Sequence, residues 1–505
     1  MIAIDAAFVE VLATALVGLA LSVAIEHLMT PRPLLARSLA AWALHGGLWL
    51  SSHAALTLML GRPWFAAASV SAFLLMLVLV NNAKFKALRE PFVFQDYEYF
   101  TDAIRHPRLY IPFLGWWKFF GASIGFIFAA LVGLWTEGPP AERFMISGQL
   151  GGVTVMFFCG LLSIWLGNRK TLPVSFNPLE DVKNLGLLPC AWRYAQEMKK
   201  TPMAASPFDF LPKNYKENEL PHLVAVQSES FFDPRSLCND IKQNVLSEFD
   251  RLKRDACTHG NLKVPAWGAN TVRTEFAFLT GVDEENLQAH RFNPFRTISG
   301  GWQLSSIATF LKAMGYRTIC VHPYSVNFYQ RNRVYPLLGF DEFIDIRSFD
   351  KLQRSGPYIG DMSVAEKVEE LLEGSADPLF LFVITMENHG PLHLEKVDPE
   401  DVSALYTNGP REGSEELTIY LRHLRNANRM IGRLREVLER CRRPASLCWY
   451  GDHVPTMPSV YKAYGEPNGD VEYVFWHNSD ASYLGTKNLK ASDISTAWLR
   501  GLGFF

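Results

Sequence analysis

Charge is scarce in the first third of this chain. Up to about residue 168, Asp, Glu, Lys and Arg are few and set between long apolar runs, whereas beyond it they reach the density of a soluble protein. An excess of either sign is also missing: the 505 residues carry a formal net charge of −2, which argues against the broad basic surface of a nucleic-acid binder. No basic segment precedes the first apolar run, because Met1 is followed by Asp5 and Glu10, a pattern that predicts a retained membrane segment rather than a cleavable signal peptide. The compositional change near residue 168 is therefore read as a change of solvent, from lipid to water.

What is there instead is a series of apolar runs, at about 6–25, 38–61, 63–83, 119–136 and 144–168. A helix needs roughly 20 residues to cross ~30 Å of hydrocarbon, so a membrane domain of about five transmembrane helices over residues 1–168 is expected. The break at Gly61, Arg62 and Pro63 is short enough to make the second and third runs a tight helical hairpin. An odd number of spans puts the termini on opposite sides. The segment 84–118 holds Lys84, Lys86, Arg89, Arg105, Arg108 and Lys118. Counted with Arg32 and Arg37, these favour a cytoplasmic C-terminal part by the positive-inside rule, although Glu90, Asp96, Glu98 and Asp102 leave the segment nearly neutral.

Residues 169–217 are expected to form an irregular connector, with Pro173, Pro178, Pro189, Pro202, Pro207 and Pro212 and no sustained periodicity. From 218 to 505, short apolar strands at 223–228, 317–322, 379–386 and 445–450 alternate with helical stretches at 302–315, 362–374 and 415–440. In the first of these stretches Leu304, Ile307, Phe310, Leu311 and Met314 recur at three- and four-residue spacing. Buried strands alternating with helices predict an α/β domain with a mostly parallel sheet covered by helices. Ligands of such sheets sit beyond the carboxyl ends of the strands.

Those ends carry ionisable side chains. The first strand runs into Gln227, Ser228, Glu229 and Ser230, the third into Glu387, Asn388, His389 and Gly390, and the fourth into Gly451, Asp452 and His453. Each alone has an ordinary explanation as a cap, turn or surface residue. Together, carboxylates and imidazole suit a divalent ion such as Zn2+ or Mn2+, whereas all-oxygen sites favour Mg2+ or Ca2+. The segment PAWGANTVRTEFAFLTG, residues 265–281, adds Thr271 and Thr274 as hydroxyls at the start of an apolar helix, and a metal can lower the pKa of such a hydroxyl enough to make it a nucleophile.

The ordered set VQSESFFD, ANTVRTEFAFLTG, FYQRN, ENHGP and YGDH, following five apolar runs, resembles the lipoteichoic acid synthase family of phosphoglycerol transferases in the alkaline phosphatase and sulfatase superfamily. The resemblance implies one metal, usually Mn2+ with Mg2+ or Zn2+ as alternatives, held by Glu229, Thr271, Asp452 and His453, with Thr271 as nucleophile and His389 and Arg331 binding substrate. Thr274 and Arg333 are the competing positions for the nucleophile and the phosphate contact. It implies further that glycerol phosphate passes from phosphatidylglycerol through Thr271 to a glycan or polymer hydroxyl, releasing diacylglycerol. A phosphoethanolamine transferase, or a sulfatase or phosphodiesterase-type hydrolase, is the alternative on the same fold. No Cys or Ser stands in the Cys-x-Pro-x-Arg context that sulfatases need. The resemblance places the protein in the bacterial cytoplasmic membrane with its catalytic domain outside, against the charge count. Cys238, Cys257, Cys320, Cys441 and Cys448 fall in the soluble part, where an oxidising compartment permits bridges.

Overall fold

Apolar helices and a buried sheet divide the chain. In the computed structural model, residues 6–97, 116–137, 147–169, 172–210, 220–479 and 485–505 are described. Most of the 84–118 segment, including Arg105 and Arg108, the first residues of the fifth apolar run and the end of the expected connector lie outside them. Residues Met1–Lys200 form one unit and Thr201–Phe505 another.

In the first unit, helices at Ala6–Glu26, Leu39–Leu60, Pro63–Leu88, Trp116–Thr136 and Ser147–Arg169 coincide with the five apolar runs. The first, third and fifth are long and apolar enough to cross a membrane. Gly61 closes the second helix in the left-handed conformation at φ 64°, and Pro63 opens the third at its first turn, where a missing N–H costs nothing. Small residues let the second and fifth helices touch: a Cβ on Gly47 would lie 2.8 Å from the Gly160 carbonyl.

The connector differs from expectation. Helices at Pro178–Leu185 and Leu187–Glu197 occupy part of it, and the unit boundary, after Lys200, falls inside the 169–217 stretch. Pro178 and Pro189 each sit in a first turn, so the residues that signal irregularity in the sequence are compatible with helix starts. Glu26 accepts the Leu187 amide at 2.6 Å and pairs with Arg37 at 2.5 Å, tying the second of these helices to the end of the first apolar helix.

The second unit is built on strands β1 (His222–Ser228), β2 (Thr258–Lys263), β3 (Arg317–Val321), β4 (Glu342–Ile344), β5 (Arg354–Ser355), β6 (Tyr358–Ile359), β7 (Leu379–Ile384), β8 (Ala445–Gly451), β9 (Val471–His477), β10 (Gly485–Thr486) and β11 (Leu489–Lys490). The main sheet runs β10-β2-β9-β8-β1-β7-β3-β4, with β11 on β2 and β5-β6 a separate ribbon. The pairs β8-β1, β1-β7, β7-β3 and β3-β4 are parallel, while β9 is antiparallel to both β8 and β2. Alternate residues feed two cores: Val224, Val226, Leu381 and Val383 enter one, Leu223, Ala225, Phe380 and Phe382 the other. Burial on both faces is why these strands read as unbroken apolar runs. The helix Glu415–Arg440 lines the first core with Leu417, Leu421, Leu424, Ile431 and Leu434. The helix Thr271–Thr280 enters the second through Val272, Phe276 and Leu279. All seven cysteines are free, so none of the bridges the sequence allowed is formed.

Candidate active site

Parallel pairing sets the site. Ser228 stands opposite Gly451 and Gln227 opposite Ile384, so Glu229, Asp452 and the turn after β7 leave the sheet side by side. Gly451 is required there, since a Cβ would meet the Phe231 carbonyl at 2.1 Å. Ser230 turns the chain at φ 52°. Its amide donates to Asp452 Oδ1 at 2.8 Å and its hydroxyl to Glu229 Oε1 at 2.8 Å, so the serine beside the carboxylate holds both acids. The Glu229 amide donates to Thr385 Oγ1 at 2.9 Å, joining β1 to the end of β7.

His453 completes the cluster. Its Nδ1–H is assigned to the Val454 carbonyl at 3.1 Å, which leaves a lone pair on Nε2. That nitrogen lies 3.3 Å from Asp452 Oδ2 and 3.7 Å from Glu229 Oε1. Neither Nε2 nor Oδ2 has a hydrogen-bond partner among the described residues, although both are buried. Ligand atoms of Glu229, Asp452 and His453 all lie within 4.8 Å of one another. Buried lone pairs facing one another are costly alone and suit a shared cation. Burial and the charge of Asp452 push the Glu229 carboxyl upward, against the pull of His453. The donor set therefore fits one divalent ion.

The two threonines part company. Thr271 opens its helix after Asn270 at φ 64° and Gly268 at φ 71°, two left-handed residues that deliver it to the N-terminus. Thr274, fully buried, donates its hydroxyl to the Asp452 carbonyl at 2.7 Å. Arg331 is also buried, while Arg333 is exposed. Tyr329 and Gln330 precede Arg331 at φ 55° and 56°, a pair of strained residues that fixes the entry of its helix.

Several partners were not evident from the sequence. Glu275 accepts from Arg331 Nε at 3.0 Å and Nη2 at 2.7 Å, and Tyr335 also donates to it. His322, at the end of β3, donates from Nδ1 to the Ile384 carbonyl at 3.2 Å and accepts from Arg331 Nη1 at 3.4 Å. Burial and the Arg331 charge hold its pKa well down. The i, i+4 spacing from Thr271 and a third strand ending in histidine were the available signals.

After β7, Glu387 accepts from Ser355, Asn426, the Asp361 amide and His423 and is not in the metal cluster. Asn388 has both amide atoms buried without hydrogen-bond partners among the described residues. His389 is half-buried, with Nδ1 assigned as donor to the Gly390 carbonyl at 2.6 Å. Burial lowers its pKa, with the Gly390 carbonyl and then Asp452 partly offsetting.

A model of the sulfatase family matches residues 221–499, just over half the chain. The chain is 27% identical over 465 residues to the capsular polysaccharide biosynthesis protein RkpI of Rhizobium meliloti (strain 1021), covering 86% of this chain and 81% of that protein. It is 27% identical over 99 residues to lipoteichoic acid synthase 2 of Bacillus subtilis (strain 168), covering 19% of this chain and 15% of that one. Among solved structures, the lipooligosaccharide phosphoethanolamine transferase A (EptA) of Neisseria meningitidis, an integral membrane protein, aligns with a TM-score of 0.56 at 12% identity, over 99% of this chain and 95% of that chain. That likeness is one of fold.

Proposed function

The chain belongs to the sulfatase family, within the alkaline phosphatase superfamily, and from that premise we propose that it is a membrane phosphoglycerol transferase that passes glycerol phosphate from phosphatidylglycerol, through Thr271, to an extracytoplasmic glycan or polymer hydroxyl. The observation that carries this reading is the pair of buried, partnerless atoms, Asp452 Oδ2 and His453 Nε2, beside Glu229. These three residues and Thr271 would hold the divalent ion, Mn2+ in our reading. A cation bound there lowers the pKa of a neighbouring hydroxyl and offsets charge on a phosphoryl group.

The chain's own groups supply the rest. The Thr271 oxygen forms a bond to phosphorus as the bond to the diacylglycerol oxygen breaks, and the threonine proton ends on diacylglycerol. Arg331, with its donors held in a fork, stabilises the phosphoryl oxygens. The acceptor hydroxyl then attacks the glycerophospho-threonine, its proton returns to Thr271, and the threonine is free again. His389, neutral and with Nδ1 engaged on Gly390, presents Nε2 as a base for that hydroxyl.

Asn388 supports glycerol over ethanolamine. An amide with free donor and acceptor matches a diol, which both gives and takes hydrogen bonds, whereas an ammonium satisfies only the oxygen. The name of RkpI, a capsular polysaccharide biosynthesis protein, supports a surface polysaccharide as acceptor, and such an acceptor calls for an extracytoplasmic catalytic unit. The test is mass spectrometry of the protein from its native membrane after supplying phosphatidylglycerol labelled in its head group. A labelled glycerophosphate adduct on Thr271 supports the proposal. A phosphoethanolamine adduct selects the other transferase, and acceptor-independent release of glycerol phosphate selects a phosphodiesterase.

A further inference from the structure

Thr271 and Glu275 stand one helical turn apart on the same helix, which places them on one face. Glu275 and Arg331 are both buried to within 1% of full enclosure. The carboxylate takes the Nε and one Nη2 hydrogen of Arg331, and His322 takes one from Nη1. Of the five N–H donors of a guanidinium, one on each Nη remains, a pair suited to two phosphoryl oxygens. Tyr335 in turn donates to Glu275, so the carboxylate is itself held.

We propose that Glu275 is the positioning residue of the transfer: from the helix that presents Thr271, it fixes the Arg331 guanidinium so that nucleophile and phosphate-binding fork are registered by a single helical turn. The inference rests on the assignment of Arg331 to the phosphoryl group. Glu275 also keeps the buried guanidinium neutralised before substrate arrives, since a lone buried charge is strongly disfavoured. A residue serving only to hold the fold together would produce a loss of stability that adds to the effect of changing Arg331. A residue acting through Arg331 produces a loss that does not add.

The experiment uses the full-length protein in detergent, with inorganic phosphate as binding probe and phosphatidylglycerol vesicles as donor. Glu275→Gln, which keeps the shape and removes the charge, is expected to weaken phosphate binding and lower turnover by about tenfold or more, with Mn2+ affinity unchanged. In Arg331→Lys the same change should add less than twofold to either loss. Glu275→Asp, which keeps the charge but shortens its reach, serves if the glutamine variant does not fold; it should stay folded and bind phosphate more weakly than wild type. Losses that multiply in the double variant, or phosphate binding within twofold of wild type in a folded Glu275 variant, overturn the proposal. Failure of the wild type to transfer any head group overturns the functional reading; phosphate binding still dependent on Glu275 would then support its hold on Arg331, and phosphate binding independent of Glu275 would overturn that as well.

Discussion

The Thr274 hydroxyl donates to the backbone carbonyl of Asp452 across 2.7 Å, so one of the two candidate nucleophiles is spent on holding the segment that carries two of the proposed metal ligands. Thr271 has no such engagement among the hydrogen bonds of the described residues. Thr271→Ala is expected to lose turnover by several orders of magnitude, the scale seen for covalent nucleophiles, and to form no adduct. Thr274→Ser should keep both hydroxyl and activity. Thr274→Val should cost about 1–3 kcal/mol in stability by stranding a buried carbonyl. An adduct on Thr274 in the wild type would reverse the assignment.

Removal of metal gives a second expectation. Three groups that converge within 4.8 Å, two of them carboxylates, repel one another when no cation stands between them, so chelation should abolish turnover and lower the melting temperature. Mn2+ should restore both, because a ligand that binds only the folded state stabilises it by mass action. Asp452→Ala should melt at the same temperature with and without added Mn2+. A metal-dependent shift in that variant would place the ion elsewhere.

The convergence of Glu229, Asp452 and His453 was legible because each follows a strand whose apolar run is unmistakable, and parallel sheets gather their strand ends. What the sequence hid were partnerships. Glu275 acquires its meaning only from Arg331, 56 residues away, and His322 reads as the end of a strand until Arg331 is placed beside it. Glu387 looked as ligand-like as Glu229 after its own strand, yet it faces Ser355, Asn426 and His423, because register and not residue type decides which strand-end acid meets the cluster. The helices at 178–185 and 187–197 were obscured by prolines whose positions within the first turn cannot be known before the turn is. The antiparallel strand β9, VEYVFWH, was passed over because no chemistry follows it.

Head-group choice should respond to Asn388. Its buried amide has no hydrogen-bond partner among the described residues, and burying unpaired polar groups costs about 1–3 kcal/mol each, a penalty that the proposed diol would relieve. Asn388→Leu should raise the melting temperature or leave it unchanged. The same variant should lower kcat/KM for phosphatidylglycerol by about 10- to 100-fold, the range for one or two lost hydrogen bonds to substrate. Competition between phosphatidylglycerol and phosphatidylethanolamine vesicles is the direct measurement. An unchanged preference would remove Asn388 from recognition.

The last prediction concerns alkaline pH and the loop that carries His389. Burial pulls the His423 imidazolium down, but hydrogen bonds and charges from Glu387 and Glu395 more than offset this and raise its pKa to about 9. The acids are lowered in return, burial opposing and His423 prevailing. A group whose folded pKa is raised stabilises fully below its unfolded value, near 6.5, and loses that contribution as pH rises through 9. The shift corresponds to roughly 3 kcal/mol at most. Wild-type melting temperature should therefore fall between pH 7 and 10 more steeply than that of His423→Gln, which cannot titrate there. Because Glu387 immediately precedes Asn388 and His389, turnover should decline over the same interval in the wild type. Parallel melting curves for the two proteins from pH 7 to 10 would show that no imidazolium stands between Glu387 and Glu395 in the fold.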